Sequence, residues 1–450
     1  MEDSNSCVEH VTYIILALTL MKNMLDYISL YRGISNSTLK SRKRRRDAEL
    51  PYHLKRKRVS WSQLVASLGP DEFKKHHRVS RKIFATIHSK IKHLIRSKVK
   101  YARKTCCRDG VSHVDSRSKL SMTLKHLAGS RTYDIERTHG VSRSTVVQSI
   151  AMTLDAIIAE FGIPPFPLDN EEQLQKLADG FKQKSTGGLF DNVIGAFDGF
   201  LLQISKRAIG KQSGVKDPSK YYCRKGYYAI NCQVCCDCNR KVTYLSMLCP
   251  GAVPDRLAHL KGSMHRAIET GQVPARYHFV GDNAYPPSDQ MLTPCTRTQL
   301  RDDLNGCMDN YNFYLSQLRI NIECCFGMLV NKFGILQSAL LTPKLGTACK
   351  TFVVCCILHN MCIDERLEEE KQVSFPASLR YTQRPAARTQ QLREDDDFEF
   401  VESMDETTAN ELIAASHNVG PTYVEEDTTC LSVKDKMIRK IAELGYVRPK

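Results

Sequence analysis

The sequence predicts an α/β protein in two parts, an all-helical N-terminal region followed by a core in which strands alternate with helices. Three observations carry this expectation. Residues 61–165 place apolar side chains at steps of three and four. Residues 166–365 contain short apolar runs that alternate with helical periods. The proline-rich stretch "FGIPPFPLDNEEQ" at 161–173 stands between the two. At 450 residues the chain has room for several domains and a sizeable core.

The net charge of +16 is unevenly spread. Basic and acidic residues number 31 and 12 over 1–150, 23 and 23 over 151–370, and 11 and 14 over 371–450. Residues 51–100 alone carry 14 basic and 2 acidic side chains. Positive charge confined to one third points to a polyanion partner. The 18 cysteines lie scattered through apolar runs, several as adjacent pairs, which suits a reduced compartment in which cysteine acts as a small hydrophobe. Cys232, Cys235, Cys236 and Cys238 invite a zinc test, yet they sit in a strand-like run with no second Cys/His pair at finger spacing. The apolar run Val11–Met21 is only 11 residues long and follows Glu2, Asp3 and Glu9. It is too short to span a bilayer and has the wrong flanking charge for a secretory signal, so a soluble intracellular protein without membrane partners is expected.

Taken in order, residues 1–60 end in two basic clusters eight residues apart. Arg42, Lys43, Arg44, Arg45 and Arg46 form one, and Lys55, Arg56, Lys57 and Arg58 the other. This is the pattern of a two-part nuclear import signal, so the nucleus is the expected location. Over 61–165, Ile83, Phe84, Ile87, Ile91, Leu94 and Ile95 share one side of a helix. Short helices follow at about 119–128 and 132–138, and a third starts near Ser142, with Gly140 and Val141 forming the turn before it. This is a helix-turn-helix arrangement. Its second helix is expected to present Ser142, Arg143, Ser144, Thr145 and Gln148 outward and to bury Val146, Val147 and Ile150. In a basic region that arrangement fits double-stranded DNA. Residues 366–450 turn polar, with an acidic block at 393–406 and a short helix at about 433–444; much of this tail is expected to be disordered.

Within 166–365, "NVIGAF" reads as a strand ending at Asp198, and "FLLQIS" leaves it. Asp-Gly at 198–199 suits either a hairpin turn or a metal ligand. Two strands joined by "CNRK" follow, then a helical stretch from about Asp255, then "YHFVGD" ending at Asp282. A long periodic helix carries Leu315, Leu318, Ile322, Phe326, Leu329 and Phe333 on one stripe, with Asn312, Ser316, Arg319 and Glu323 along its edge. That geometry permits Asp198, Asp282 and Glu323 to converge. Clustered carboxylates repel one another, and a hard divalent cation removes the repulsion and activates water for phosphodiester cleavage. Taken singly, each acid also has a plain structural explanation: a turn, a cap and a solvated helix position.

Six ordered stretches over about 192–365 carry a family resemblance: "GAFDGFLLQISK", "YYCRKGYYAINCQVCCD", "LCPGAVPDRLAHLKGS", "FVGDNAYPPSDQMLTP", "YNFYLSQLRINIECCFGMLVNKFGIL" and "CCILHNMCIDE". The chain resembles Harbinger-type DDE transposases and the nucleases derived from them. The resemblance implies a ribonuclease-H-like fold, a mixed sheet flanked by helices. It also implies a catalytic triad of Asp198, Asp282 and Glu323 holding Mg²⁺, or Mn²⁺ in its place, for phosphodiester hydrolysis and strand transfer. It makes Asp255 an extra metal ligand or a support of the site, and Arg319, Arg224 and Lys225 contacts to DNA phosphate. It allows a Myb-like DNA-binding partner protein and a homo-oligomer. Ala252 stands where the family usually has serine, and Pro254 precedes Asp255, which bears on the role of Asp255. Two other functions compete: a catalytically silent descendant acting as a DNA- or chromatin-binding protein, and a metal hydrolase acting on small phosphate compounds, which would leave the basic third without a purpose.

Overall fold

The computed structural model describes residues 58–96, 114–372 and 432–449, apart from 67, 211, 212, 214, 302 and 343. The run Val11–Met21, the basic residues Arg42 to Arg46 and Lys55 to Lys57, and the acidic block at 393–406 lie outside the described residues.

Among the described residues, six helices form the N-terminal layer: α1 (Trp61–Ala66), α2 (Pro70–His77), α3 (Arg81–Ile91), α4 (Ser116–Leu127), α5 (Thr132–His139) and α6 (Arg143–Phe161). Side chains that cannot help inside a helix start several of them. Ser80, Asp115 and Ser142 each accept a hydrogen bond from the backbone N–H three residues on, satisfying a donor that has no partner within the helix. The apolar face of α3 is buried as its spacing predicts, through Ile83, Phe84, Ile87 and Ile91. Leu94 departs from that expectation and is 43% exposed, because α3 ends at Ile91 and the chain turns there. Trp61 stacks on Phe84 at 4.8 Å, and Phe73 and His77 complete the aromatic group. Gly140 ends α5 in the left-handed region (φ +61°), where a side chain would be strained. On α6, Val146 and Ile150 point inward as expected, whereas Val147 is 51% exposed and Ser149 is buried instead. The inward stripe of α6 therefore follows 146, 149 and 150, the helical spacing, rather than the adjacent valine pair.

The core begins with α7 (Glu171–Lys184) and continues through β1 (Val193–Gln203), β2 (Ala229–Cys236), β3 (Val242–Pro250), α8 (Asp255–Leu260), α9 (Ser263–Glu269), β4 (His278–Val280), β5 (Met291–Leu292), α10 (Arg297–Arg301), α11 (Cys307–Lys332) and α12 (Leu345–Gln372). The five strands make one mixed sheet in the order β3-β2-β1-β4-β5. The pairs β1–β2 and β2–β3 are antiparallel, while β1–β4 and β4–β5 are parallel. This architecture is compatible with a ribonuclease-H-like core. One face of the sheet is covered by α11 and α12, through Leu315, Leu318, Ile322 and Phe352; the other packs Ile194, Phe197 and Phe279 with Leu174 of α7 and Met264 of α9.

One further detail differs from the sequence reading. β1 runs unbroken through Asp198 and Gly199, which pair with Val234 and Gln233 on β2, so Asp-Gly forms no turn and Asp198 lies mid-strand. The cysteines of β2 divide between the faces of the sheet: Cys232 and Cys236 lie in one apolar cluster and Cys235 in the other. Burial pushes all three thiols up, which is the behaviour of core hydrophobes.

The helical layer and the core share one apolar cluster, and ionic contacts join them: Lys350–Asp155 at 2.6 Å and Lys82–Glu368 at 2.8 Å. Helices α6 and α12 are long and apolar enough by composition to cross a membrane, yet each packs apolar residues into the fold, Val146, Ile150, Leu154 and Ile157 from α6 and Phe352, Cys355 and Leu358 from α12. Helix α13 (Val433–Glu443) docks on the core, burying Met437 and Ile441, and Lys434 donates to the Pro294 carbonyl.

Candidate active site

Alternation along β1 sends Asp198 to the same face as Ala196 and Leu202, the face covered by α11. Its Oδ1 accepts the Gly199 N–H at 2.8 Å. Burial is the main force on this carboxyl and pushes it up to about 6; Asp282 and Asp255 add to the rise, and the Gly199 N–H and the Arg319 guanidinium oppose it. Asp282 comes from the parallel neighbour. Ala196 is in register with Val280 on β4, and Asp282 lies two residues past Val280 as Asp198 lies two past Ala196, near enough for its charge to act on the Asp198 carboxyl. Asp282 Oδ1 accepts the Asn283 N–H at 2.5 Å, which fixes its orientation.

Helix α11 brings Arg319 toward Asp198, and Arg319 Nη2 donates to Glu323 Oε1 at 2.8 Å one turn on. Glu323 is therefore engaged by its own helix, with its side chain 54% exposed. Arg319 Nε is buried without a hydrogen-bond partner, a donor still available to an oxyanion. Asp255 occupies a different place. It begins α8 and lies against Gly199, on the face opposite to Asp198. Its Oδ1 accepts from Asn231 Nδ2 at 2.9 Å and Gln233 Nε2 at 3.1 Å. Gly199 is required here, since a Cβ would collide with the Asp255 carboxylate.

The donors present suit a hard cation in kind: Asp198 and Asp282 are carboxylates, the oxygen donors such a cation prefers, each with lone pairs to spare after its backbone bond. They do not yet suit one in number. Among the described residues no three His, Cys, Asp or Glu side chains are grouped to hold one ion.

The other residues singled out from sequence are surface features. Arg224 and Lys225 sit exposed on a tight turn closed by the bond from Gly226 N–H to the Cys223 carbonyl. Arg143, Ser144 and Gln148 are exposed at the start of α6, with Thr145 half-buried beside them. Sequence reasoning missed the supporting network. Tyr285 donates to Gln233 Oε1 at 2.7 Å, and Gln233 Nε2 donates to Asn231 Oδ1 at 2.8 Å as well as to Asp255. Its signal was present: Asn231 and Gln233 are two polar residues at strand spacing inside an otherwise apolar run.

Residues 197–360 match the family described as DDE superfamily endonuclease. The chain carries a DDE superfamily endonuclease domain. All the acids discussed above, with Arg224, Lys225 and Arg319, lie within it. The chain is also 25% identical over 232 residues to the Rattus norvegicus protein named "Putative nuclease HARBI1", covering 51% of this chain and 62% of that protein. The Mus musculus and Homo sapiens proteins of the same name are 25% and 22% identical over 233 and 232 residues, with the same coverage. The matched part of the chain thus spans about 62% of the length of these relatives. No solved structure matches the chain. The motif resemblance therefore holds for the DDE domain, and the helical layer lies outside the matched family segment.

Proposed function

We propose that the protein is a divalent-metal-dependent DNA endonuclease that hydrolyses phosphodiester bonds with Asp198, Asp282 and Glu323. The observation that carries this is the half-buried Asp198 carboxyl on the face covered by α11, which burial pushes up to about 6 and to whose rise Asp282 adds. A divalent cation held there, Mg²⁺ or Mn²⁺, would neutralise the two acids and supply the activation of water that phosphodiester cleavage needs.

The remaining tasks fall to the chain's own side chains. Arg319 offers its unpartnered Nε to a phosphate oxygen. The bond that now ties Arg319 to Glu323 is an exposed i,i+4 pair, worth only about 0–1 kcal/mol, so a phosphate that takes Arg319 releases Glu323 at little cost. Asp255, held by Asn231 and Gln233, braces β1 from the opposite face. Helices α5 and α6 act as a helix-turn-helix that offers Arg143, Ser144, Thr145 and Gln148 to the major groove, and Arg224 and Lys225 hold the backbone. The basic clusters before residue 58 direct the chain to the nucleus. A Myb-like partner or a second copy of the chain would supply DNA contacts beyond these.

A second reading has an observation of its own. Glu323 is bound to Arg319, and no three-carboxylate group exists among the described residues, which suits a silent descendant that binds DNA or chromatin without cutting it. Nicking of supercoiled plasmid with Mg²⁺ separates the two. The nuclease reading expects nicking that EDTA, Asp198→Asn and Glu323→Gln each reduce to background, while DNA binding persists. Salt-sensitive binding without nicking under any divalent ion would favour the silent protein.

A further inference from the structure

The DDE domain holds its positive charge in one place. Residues 151–370 carry equal numbers of basic and acidic side chains, yet the β1–β2 connection at 205–228 has seven basic and one acidic. The remainder of that stretch has 16 basic and 22 acidic. The same connection contains four tyrosines in 24 residues. Positive charge interleaved with aromatic rings, on a domain that is otherwise net acidic, is a pattern that chain solubility does not require.

The end of the connection, from Lys220 to Tyr228, is held by backbone hydrogen bonds. Ile204 N–H donates to the Tyr228 carbonyl at 2.8 Å, Cys223 N–H to the Tyr227 carbonyl at 2.9 Å, and Ala252 N–H to the Lys220 carbonyl at 3.0 Å. Tyr222 and Tyr228 face each other across this small hairpin with ring centroids 5.3 Å apart. Lys206 Nζ lies 5.9 Å from the Tyr228 ring. Tyr221 packs toward the core, but Tyr222 is 53% exposed, and Arg224 and Lys225 are exposed at the turn beside it. An exposed ring held edge-on by a second ring, with cations alongside, gives an aromatic surface on which a base can stack and charges that can track its phosphates.

We propose that the Tyr222–Tyr228 hairpin is a binding site for an unpaired DNA base, with Tyr222 stacking on the base and Arg224 and Lys225 holding the flanking phosphates. The assignment to DNA rests on the nuclease reading above; the single-stranded character rests on the exposed ring. Six steps along the extended chain lead from Asp198 to Ile204, just past the end of β1, which is ~20 Å at ~3.3 Å per step. That length corresponds to about six base steps of ~3.4 Å. The hairpin would thus engage a strand already opened near the bond to be cut, a task that contacts in the major groove do not perform.

The test measures binding of the full-length protein to a fluorescent 12-nucleotide single-stranded DNA in EDTA, so that no cleavage is needed to read it. Tyr222→Leu is expected to weaken binding roughly ten-fold and Tyr222→Phe to bind within about two-fold of the parent, because the ring and not the hydroxyl does the stacking. The double variant Arg224→Ala/Lys225→Ala is expected to lower the slope of log K against log salt by about 1.4, the value for two phosphates of a single strand. Parent-like binding by Tyr222→Leu at unchanged melting temperature overturns the proposal. If Tyr222→Leu melts early, an unchanged salt slope in the double variant overturns it instead. Tighter binding to RNA of the same sequence overturns the assignment to DNA. Plasmid nicking in Mg²⁺ is scored separately, so loss of the nuclease reading and loss of this site remain distinguishable.

Discussion

The helical layer and the sheet both bury ionisable groups, and they treat them in opposite ways. In the helical layer burial holds His77 and His139 neutral, down at about 4 and about 3. His77 is satisfied, with Nδ1 3.0 Å from the Phe73 carbonyl and Nε2 2.9 Å from Ser121 Oγ, inside a closed aromatic group. In the sheet, burial lifts the Asp198 carboxyl to about 6, yet two further carboxylates and a guanidinium act on it. A buried group that is silent and enclosed serves packing. One whose charge is only partly compensated, beside a second acid and an unpaired Arg319 N–H, is arranged for something that comes from outside.

The contrast can be broken first in the helical layer. Both histidines titrate at 6.5 when unfolded and lower when folded, so the unfolded chain takes up protons that the fold refuses. The stability that these two rings contribute is complete above about pH 6.5 and falls as the pH drops through 6.5 toward 4, while the Asp198 carboxyl, raised to about 6, works in the opposite direction over part of that range. Between pH 6.5 and 5 the expected loss is roughly 2 kcal/mol for each histidine, at ~1.4 kcal/mol per pH unit. Urea melts of the parent against His77→Phe and His139→Phe should show it as a difference that changes with pH; a constant difference would mean that these rings are not enclosed.

In the sheet the strongest steric prediction concerns Gly199. A methyl group there meets the Asp255 carboxylate, which Asn231 and Gln233 hold in place, so Gly199→Ala should cost about 1–3 kcal/mol, read by urea melting. The smallest effect returns to the helical layer. Ser142→Ala removes the N-cap of α6 and should lower stability by about 1 kcal/mol while leaving plasmid nicking intact at temperatures where the fold holds.

Much of this was legible in the residues, for identifiable reasons. Ser142 at a helix start, Gly140 before it, and the stripe from Leu315 to Phe333 follow from local spacing and local hydrogen bonding, which a sequence displays directly. An alternation of strands and helices follows from the strand and helix periods, while the mixed sheet is an expectation from the family resemblance. What local patterns do not contain is the pairing partner. Asp-Gly at 198–199 is a turn signal on its own, and only the long pairing of β1 with β2 overrides it. On α6, residue type misleads where spacing does not: a valine at 147 invites burial and a serine at 149 exposure, yet the helical stripe takes Ser149 inward. The carboxylates stand out in the sequence by residue type, but their division between the two faces of the sheet, Asp198 on one and Asp255 on the other, is a tertiary fact. The contact of Arg319 with Glu323 is local instead, an i,i+4 pair on α11 that the spacing permits.

The central claim is that Asp198 and Asp282 await a shared cation, and the melting temperature as a function of added Mg²⁺ tests it without recourse to cleavage. The account predicts that Mg²⁺ raises the melting temperature of the parent protein and that Asp198→Asn, folded and melting normally in EDTA, loses this gain. An equal rise in both proteins would contradict it.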